Sequence, residues 1–420
     1  MLAHTVRRNA VPFAGLLCAA CVLATTSCGA KRGAGSPSFI PAASISAGGF
    51  EDTGHTCILV ASGNVKCWGD NEYGELGDGT MTNRRAVVVG KGVTNATAIS
   101  AGGNETCSLL SGGNVMCWGF HTLGLMGGPR STSSSAPLPI RGVENAVAVS
   151  TSGGHACAVI SSGSIKCWGA DNLLGTLGSG TAGAMPLTGG IIPAARVKGI
   201  SNAVSVSAGY SHVCALLSSG TVECWGENPY GELGNGPTGN DSPPSPAPVV
   251  VKGINNARAV SVGDSDTCAL LSDGTVKCWG WNEIGQLGNG QGGRINETPV
   301  AVKDIANATA ISMGGNHACA IHSGGRVKCW GENLHGQLGD GVRSHSHSIS
   351  WGNSPKYDFS PVPVDVRGIS NATAISAGSS HTCAALSSGS VVCWGDNVYG
   401  QLGDGKLGDS ASPVEVVGVR

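Results

Sequence analysis

Fourteen of the cysteines in this chain form seven pairs, and every pair has nine residues between its two members. Cysteines at a fixed spacing can bind a metal, exchange electrons or form a disulfide. In five pairs a histidine lies two residues before the first cysteine, which places both side chains on one face of a strand. The pairs are Cys57 with Cys67, Cys107 with Cys117, Cys157 with Cys167, Cys214 with Cys224, Cys268 with Cys278, Cys319 with Cys329, and Cys383 with Cys393.

The residues between the paired cysteines predict a tight hairpin. In the fifth pair a three-residue loop would consist of Ser272, Asp273 and Gly274, and the third position of such a loop favours a left-handed glycine. Hydrogen-bonded and non-hydrogen-bonded residue pairs alternate along the two strands that leave this loop. Counting outward from the loop places the two cysteines opposite each other in a non-hydrogen-bonded pair, whose Cα atoms are close enough for a disulfide. We therefore predict one disulfide hairpin for each pair. The loop glycines are Gly63, Gly113, Gly163, Gly220, Gly274, Gly325 and Gly389.

Zinc is the alternative to disulfides. The histidine position holds Glu105 in the second pair and Asp266 in the fifth, so the ligand set is not repeated. A set of two cysteines and one histidine is also one ligand short of a structural zinc site. We therefore expect no metal and no cofactor, and we interpret the histidines as hydrogen-bonded structural residues.

The cysteine pairs belong to a repeat in which the first cysteines lie 50 to 64 residues apart. In the sixth copy alternation and β-branched residues predict four strands, at 308–314, 317–323, 326–331 and 361–366. A Trp-Gly pair follows the second cysteine in every copy, and we expect each indole to be buried between neighbouring sheets. Seven such copies predict an all-β propeller with four antiparallel strands per blade.

A recurring segment, Asn-x-x-Gly-x-Leu-Gly, follows the third strand of most copies, as in 333–339. Its glycines permit a tight corner, and its leucine is expected to fill the contact between two blades. The last strand, in SPVEVVGVR, matches the strand that precedes the first strand of a copy. The two ends of the chain should therefore meet and could share one sheet, which would remove exposed edges.

The first 28 residues differ in composition from the repeats. Arg7 and Arg8 precede an apolar run from Val11 to Ala24, as in a secretory signal. Thr25-Thr26-Ser27-Cys28 resembles a lipoprotein cleavage box, so Cys28 is a candidate lipidation site, with simple cleavage as the alternative. We predict a signal at 1–28, a tether at 29–39 and a propeller at 40–420, in a secreted, periplasmic or outer-membrane lipoprotein.

The composition limits the partners. Only 12% of the residues are charged, the formal net charge is −2, and no cluster of Lys and Arg occurs. A nucleic-acid-binding protein would show a basic face, so nucleic acid is not expected as a partner. The membrane would be reached only through a lipid on Cys28, and a monomer is expected.

The segment HTCAALSSGSVVCWGDNVYGQLGDG (381–405) resembles the regulator of chromosome condensation repeat, and the resemblance extends from residue 40 to 420. That family implies a seven-bladed β-propeller with four antiparallel strands per blade. Its founding member is a nucleotide-exchange factor for a small nuclear GTPase and docks on chromatin. The secretion signal, the disulfides and the lack of a basic tail argue against exchange activity here. A secreted propeller of the same repeat type that inhibits β-lactamases is a closer functional analogy.

Copies that depart from the repeat indicate where a partner could bind. Aromatic side chains on loops are enriched in protein contacts and also stack on sugars. The alternative is that these side chains cover the underside of their own loops. We predict a protein- or glycan-binding module, with a polysaccharide- or lactone-cleaving propeller as the enzyme alternative; the sequence contains no recognisable catalytic motif. The candidate binding residues are Phe120, His121, Leu123, Trp281, Trp351, Tyr357 and Phe359.

Overall fold

A computed structural model describes 42–50, 53–121, 132–169, 174–182, 194–236, 243–343, 347–349 and 357–419. The predicted signal and tether, including Cys28, lie outside these ranges, and so do Leu123 and Trp351. Within the described ranges no helix has the length and apolarity needed to cross a membrane.

The described residues form seven antiparallel sheets, and each sheet is built from strands that follow one another in sequence. This is the seven-bladed propeller that the repeat predicts. Blades 1 to 3 contain β1 (Ala42–Gly48), β2 (His55–Val60), β3 (Val65–Gly69), β4 (Arg84–Val89); β5 (Ala96–Ala101), β6 (Glu105–Leu110), β7 (Val115–His121), β8 (Thr132–Pro139); β9 (Ala146–Thr151), β10 (His155–Ile160), β11 (Ile165–Gly169), β12 (Ala195–Arg196).

Blades 4 to 7 follow the same plan, with one additional strand in blade 6. They contain β13 (Ala203–Ala208), β14 (His212–Leu217), β15 (Val222–Gly226), β16 (Ser245–Val250); β17 (Ala257–Val262), β18 (Asp266–Leu271), β19 (Val276–Gly280), β20 (Asn296–Ala301); β21 (Ala308–Met313), β22 (His317–His322), β23 (Arg326–Glu332), β24 (His347–Ile349), β25 (Tyr357–Asp365); β26 (Ala372–Ala377), β27 (His381–Leu386), β28 (Val391–Gly395) and β29 (Ser410–Glu415). The additional strand β24 pairs with β25 at the outer edge of its sheet.

The hairpin between the second and third strands of each blade has the predicted geometry. In blade 5 the amide of Leu271 donates to the carbonyl of Thr275, which leaves a loop of three residues. The third loop residue is a glycine with φ between 76° and 97° in all seven blades. This left-handed residue brings the two strands into the register that places one cysteine opposite the other.

All seven cysteine pairs are disulfides, with Cα atoms 4.0–4.1 Å apart. The prediction of one disulfide hairpin per blade is confirmed, and the zinc alternative is wrong for these cysteines. In blade order the bonds join Cys57 to Cys67, Cys107 to Cys117, Cys157 to Cys167, Cys214 to Cys224, Cys268 to Cys278, Cys319 to Cys329, and Cys383 to Cys393.

The tryptophans lie between blades, as predicted. Each of the seven indoles is at most 2% exposed. In six interfaces the described residues show the indole Nε1 donating to a carbonyl in the corner of the preceding blade, at 2.6–2.9 Å. In blade 5, for example, Trp279 donates to Glu232 and packs in one cluster with Leu233 of blade 4. The corner motif therefore joins each blade to the next.

A ring of serine hydrogen bonds closes the propeller around its axis. In every blade one serine of the innermost strand accepts the backbone N–H of a residue in the next innermost strand, at 2.9–3.1 Å. The bond from Ala47 to Ser376 joins blade 1 to blade 7 in the same way. The described ends do not share a sheet, because β1 belongs to blade 1 and β29 to blade 7. The serines are Ser46, Ser100, Ser150, Ser207, Ser261, Ser312 and Ser376.

The strands give the ring two different faces. On the upper face the loops between the first and second strands surround the axis, and the third strands end beside them. On the lower face lie the three-residue hairpins and the connections between blades. The candidate binding residues within the described ranges are at or just beyond the ends of third strands, or at the start of β25, so they belong to upper-face segments of the chain.

Candidate binding face

The mouth of the central channel is formed by the seven loops that follow the innermost strands. These loops line a cavity of about 100 Å³. The backbones of neighbouring blades approach closely here, and a Cβ atom on Gly314 would collide with the carbonyl oxygen of Gly378. At the innermost position of the loops most blades have a small residue, whereas blades 4 and 5 have Tyr210 and Asp264. The mouth is therefore asymmetric.

Two aromatic rings stack beside this cavity. Phe50 of blade 1 and Tyr210 of blade 4 have ring centroids 5.1 Å apart and an interplanar angle of 16°. The Tyr210 ring comes within 3.4 Å of the position of a Cβ on Gly153, and Phe50 lies similarly close to Gly103. The stack thus extends past blades 2 and 3, and Tyr210 remains 48% exposed. A partner at the mouth would meet an aromatic surface.

Carboxylates lie on the other side of the mouth, where blades 5 and 6 meet. The Oδ2 atom of Asp264 is 3.2 Å from the position of a Cβ on Gly315. The next residue, Asn316, donates from Nδ2 to Oε2 of Glu332 at 3.4 Å. Desolvation, and to a smaller extent the charge of Glu332, raise the pKa of Asp264 to about 6. The half-buried carboxylate of Asp264 accepts no hydrogen bond from the described residues.

Beneath the mouth, buried histidines connect the blades. In four interfaces the Nε2 atom of a histidine is hydrogen-bonded to a threonine of the next blade, at 2.7–2.8 Å. Burial lowers the pKa of these rings to about 3 or 4, so they are neutral at physiological pH. Their use as structural hydrogen-bonding residues agrees with the prediction from sequence. The pairs are His55–Thr106, His212–Thr267, His317–Thr382 and His381–Thr56.

The fifth blade breaks this pattern most sharply. Asp266 replaces the histidine and faces a blade in which Ala318 replaces the threonine. Asp266 is 1% exposed, and neither carboxylate oxygen has a hydrogen-bond partner among the described residues. Burial, followed by the charges of Asp264 and Glu232, raises the pKa of Asp266 well above its ordinary value. Glu105, the other replacement, differs because it accepts a hydrogen bond from Thr151.

Replacing Asp266 with asparagine is expected to stabilise the protein increasingly as the pH rises above about 4. In the unfolded chain this carboxyl ionises near its ordinary pKa, whereas the native protein retains the proton. The unfolded state therefore binds fewer protons, and native stability falls with rising pH by about 1.4 kcal/mol per pH unit until the native group ionises. Urea unfolding of wild type and Asp266→Asn at pH 4.0 and 7.0 measures the difference.

The double variant with Asp266→His and Ala318→Thr is the matched control, because it introduces the pair found in four other interfaces. We expect it to be more stable than Asp266→His alone by about 1 kcal/mol, the contribution of one hydrogen bond. A stability difference between wild type and Asp266→Asn that does not change with pH would contradict the buried, protonated state.

A second ring of residues surrounds the mouth. In six blades the residue after the Trp-Gly pair donates its backbone N–H to the loop of the same blade, as Phe120 does to Asn104 and Trp281 to Ser265. Both side chains are half-buried, and each contacts a tyrosine of the preceding blade. The ring centroids of Phe120 and Tyr73 are 4.9 Å apart, and those of Trp281 and Tyr230 are 6.3 Å apart.

The remaining candidate residues are placed differently. His121 ends β7 and Tyr357 begins β25, but their side chains are outside the described part of the structure. Phe359 is only 6% exposed, and its ring lies 3.6 Å from the position of a Cβ on Gly292 in blade 5. Its ring therefore covers a neighbouring corner and offers little surface to a partner. Among the described candidates, Phe120 and Trp281 remain partly accessible.

The residues at the mouth itself are absent from the candidates that the sequence predicts. Phe50, Tyr210 and Asp264 lie on short loops, whereas the predicted candidates lie on or near the longer loops after the third strands. The sequence nevertheless contains a signal for them. Four residues before the first cysteine, Tyr210 and Asp264 occupy a position at which most other copies have glycine or serine, and Phe50 lies in the blade 1 loop, which is three residues longer than the others.

One cluster of possible metal ligands occurs among the described residues. His335, Asp396 and Asp409 offer three ligand atoms within 4.8 Å of one another. The Nδ1 atom of His335 is 3.1 Å from Oδ2 of Asp409, and Arg343 lies 3.8 Å from the same carboxylate oxygen. Burial raises the pKa of Asp396 to about 6. These side chains form a hydrogen-bonded and ion-paired group between blades 6 and 7.

Catalysis at the mouth would require either a general acid or a nucleophile that is hydrogen-bonded to a base. The nearest arrangement in the described residues is Ser152, whose Oγ is 3.3 Å from Nδ1 of His155. Burial lowers the pKa of His155 to about 4, which makes this ring a weak base, and Ser152 is 7% exposed. Its hydroxyl also donates to the carbonyl of His155. This geometry suits a structural turn better than nucleophilic catalysis.

Known protein families match most of the chain. A family model described as the RCC1-like domain matches residues 27–350, and models of the regulator of chromosome condensation (RCC1) repeat match 324–385 and 372–401. The ultraviolet-B receptor UVR8 of Arabidopsis thaliana is 32% identical over 218 residues, which are 50% of this chain and 45% of the receptor. The human E3 ubiquitin-protein ligase HERC2 is 30% identical over 48% of this chain and 4% of the ligase.

The chain thus covers less than half the length of these two relatives. Among solved structures, the crystal structure of Prp20p from Saccharomyces cerevisiae has a TM-score of 0.69 and 20% identity. The match covers 85% of this chain and 87% of Prp20p. At this identity the match establishes a common fold.

Proposed function

Because the chain belongs to the RCC1-like domain family, we propose that it is a binding propeller whose upper face recognises a protein partner. One observation carries this proposal: three aromatic pairs, Phe50–Tyr210, Tyr73–Phe120 and Tyr230–Trp281, all lie on the upper face. Tyrosine and tryptophan are enriched at the energetic centres of protein interfaces. A rigid ring that presents such side chains needs little rearrangement to bind, which favours affinity.

The relatives support a binding role. Prp20p, which shares this fold, has binding properties to Gsp1p and histones. This chain differs from a histone-binding protein in its nearly neutral charge, so a different protein partner is proposed. A glycan is the alternative ligand for this face, and the experiment below distinguishes it from a protein.

We also propose that the chain acts outside the cytoplasm, as a secreted or envelope protein and as a monomer. The support is the basic and apolar pattern of the first 28 residues together with fourteen cysteines in disulfides. Disulfides persist in oxidising compartments and are rare in the cytosol. A lipid on Cys28 would place the propeller at a membrane surface without a spanning helix, and mass spectrometry of the mature N-terminus would detect it.

Trp281→Ala is expected to weaken capture of the partner by about 30-fold, the effect of losing a 2 kcal/mol hot spot. The oxidised full chain would be immobilised and incubated with envelope extract and culture medium of the cells that express it. We expect saturable retention of a protein that is lost after protease treatment of the extract.

The control for this experiment is Val250→Ala, at a 56% exposed side chain on an outer strand. It should retain the partner as wild type does. Equal retention by Trp281→Ala would contradict the assignment of the upper face. Retention that survives protease and is lost after glycosidase treatment would identify a glycan instead.

A further inference from the structure

The upper face has an uneven charge distribution around the mouth. None of the seven loops that follow the innermost strands contains Lys or Arg anywhere in the sequence. The second ring, which consists of the residues after each Trp-Gly pair, also lacks Lys and Arg and is acidic in four of seven blades. A cation that approaches the mouth therefore meets no basic residue among the described residues of either ring. The second-ring residues are Asp70, Phe120, Ala170, Glu227, Trp281, Glu332 and Asp396.

Among the described residues that line the cavity, Asp264 is the one with a carboxylate. It lines the cavity, it is half-buried, and its side chain has no hydrogen-bond or ion-pair partner in the described structure. Its Oδ2 atom lies over Gly315 of the next blade, close to where Asn316 holds Glu332. Partial burial of an unpaired carboxylate is unfavourable unless a cation compensates for the lost hydration.

Asp266 provides a second and independent observation at the same mouth, because it is a buried polar side chain without a hydrogen-bond partner. It is 1% exposed, and both of its oxygens lack partners among the described residues. Its Oδ1 atom occupies the space that a Cβ on Gly263 would take, and Gly263 itself lines the mouth. The carboxylate is therefore directed at the floor of the cavity, behind a residue with no side chain. Most other blades place a neutral histidine ring at this site.

The shape of the site favours an organic cation over a metal ion. Among the described residues the only three-ligand cluster that fits a metal is His335, Asp396 and Asp409, so the mouth carboxylates do not converge on one point. Tyr210 leans toward blade 3 and Asp264 toward blade 6, so the exposed Tyr210 ring faces the Asp264 carboxylate from the other side of the mouth. A planar guanidinium can pair with a carboxylate and stack on an aromatic ring at once, and it is more weakly hydrated than an ammonium group.

We propose that the mouth of the propeller receives an arginine side chain from a loop of the partner protein, between Tyr210 and Asp264. The inference rests on the proposed function, since it names the chemistry of the residue that the partner inserts. The guanidinium pairs with Asp264 and stacks against the Tyr210 ring, above the buried carboxyl of Asp266 that lies behind Gly263. The aromatic pairs of the second ring then contact the surface around that arginine.

A defined peptide tests this inference without knowledge of the partner. The probe is Gly-Gly-Arg-Gly-Gly, blocked at both ends, with a neutral citrulline version as control. Binding to the oxidised, ¹⁵N-labelled full chain would be followed through the amide signals of Gly263 and Gly315 at low salt. We expect saturable shifts with the arginine peptide and at least tenfold weaker binding of the citrulline peptide.

Two variants locate the site. Asp264→Asn is expected to weaken binding of the arginine peptide at least tenfold, whereas Glu144→Gln, the same change of charge on the lower face, leaves it unaltered. Tyr210→Ala should weaken binding while retaining the carboxylate. Equal binding of the two peptides, or unchanged binding by Asp264→Asn, would overturn the proposal. So would tighter binding of calcium chloride at the same amides, which would indicate a metal site.

The outcomes also separate this inference from the proposed function. If Asp264→Asn captures the protein partner as well as wild type does while Trp281→Ala does not, the propeller binds protein without an inserted arginine. If the arginine peptide binds at the mouth but no protein is retained from any extract, the site stands and the proposed function fails.

Discussion

Trp68→Ala is expected to lower the free energy of unfolding by about 3–5 kcal/mol, the usual range for loss of a buried tryptophan. The indole of Trp68 is completely buried, and its Nε1 donates at 2.8 Å to the carbonyl of Gln401. This contact joins blade 1 to blade 7, where the two ends of the repeat array meet. Urea unfolding monitored by circular dichroism, with the disulfides intact, measures the loss.

The matched variant is Trp279→Ala, in an interface between blades that are consecutive in the chain. Trp279 makes the same contact with Glu232, at 2.7 Å. If the ring is closed, the two substitutions should destabilise the protein by amounts that agree within about 1 kcal/mol. A much smaller effect of Trp68→Ala would mean that the closing interface contributes little and that the array behaves as an open solenoid.

Full reduction of the seven disulfides is expected to abolish the fold in water. Each disulfide joins residues ten positions apart, and closing a loop of that length stabilises a protein by about 3 kcal/mol in the chain-entropy model. Seven such contributions exceed the net stability of a typical domain, about 5–15 kcal/mol. A chain unfolded in urea, reduced, alkylated and returned to water should therefore fail to regain its β-sheet circular dichroism.

Removal of a single disulfide is the graded version of that experiment. The double variant with Cys268→Ala and Cys278→Ala should lose about 3 kcal/mol of stability and remain a folded propeller. Reversible unfolding of an oxidised sample serves as the control. Recovery of the native spectrum by the fully reduced and alkylated chain would show that the Trp and Leu contacts between blades suffice without the disulfides.

The local architecture of this protein was predictable because each step depends on only a few residues. The glycine of the hairpin loop determines the position of the turn, and the turn determines that Cys268 faces Cys278. The burial of Trp279 follows from a large apolar ring that recurs in a sheet. The blade count follows from the number of copies. Each of these inferences uses contacts within one copy or between two neighbouring copies.

Features that depend on the whole ring were not predictable in the same way. Phe50 and Tyr210 are 160 positions apart and meet only because the first and fourth blades face the same axis. The residues of β1 alone do not reveal that Ser46 accepts a hydrogen bond from blade 2 while the amide of Ala47 donates one to blade 7. Phe359 is likewise buried by the corner of blade 5, and no residue of its own repeat copy predicts that contact. Position around the axis is a property of the closed ring.

The serine bonds around the axis all run in one direction, from the amide of one blade to the hydroxyl of the blade before it. A closed ring of identical bonds does not distinguish a first blade from a last one. For these hydrogen bonds the interface between blades 7 and 1 is therefore equivalent to the six interfaces between blades that are consecutive in the chain. Circularly permuted forms of the molecule would satisfy the same seven bonds, whereas adding or deleting one repeat would require every blade to change its angle to its neighbours. The geometry around the axis thus fixes the number of blades, whereas it does not fix which blade comes first in the chain.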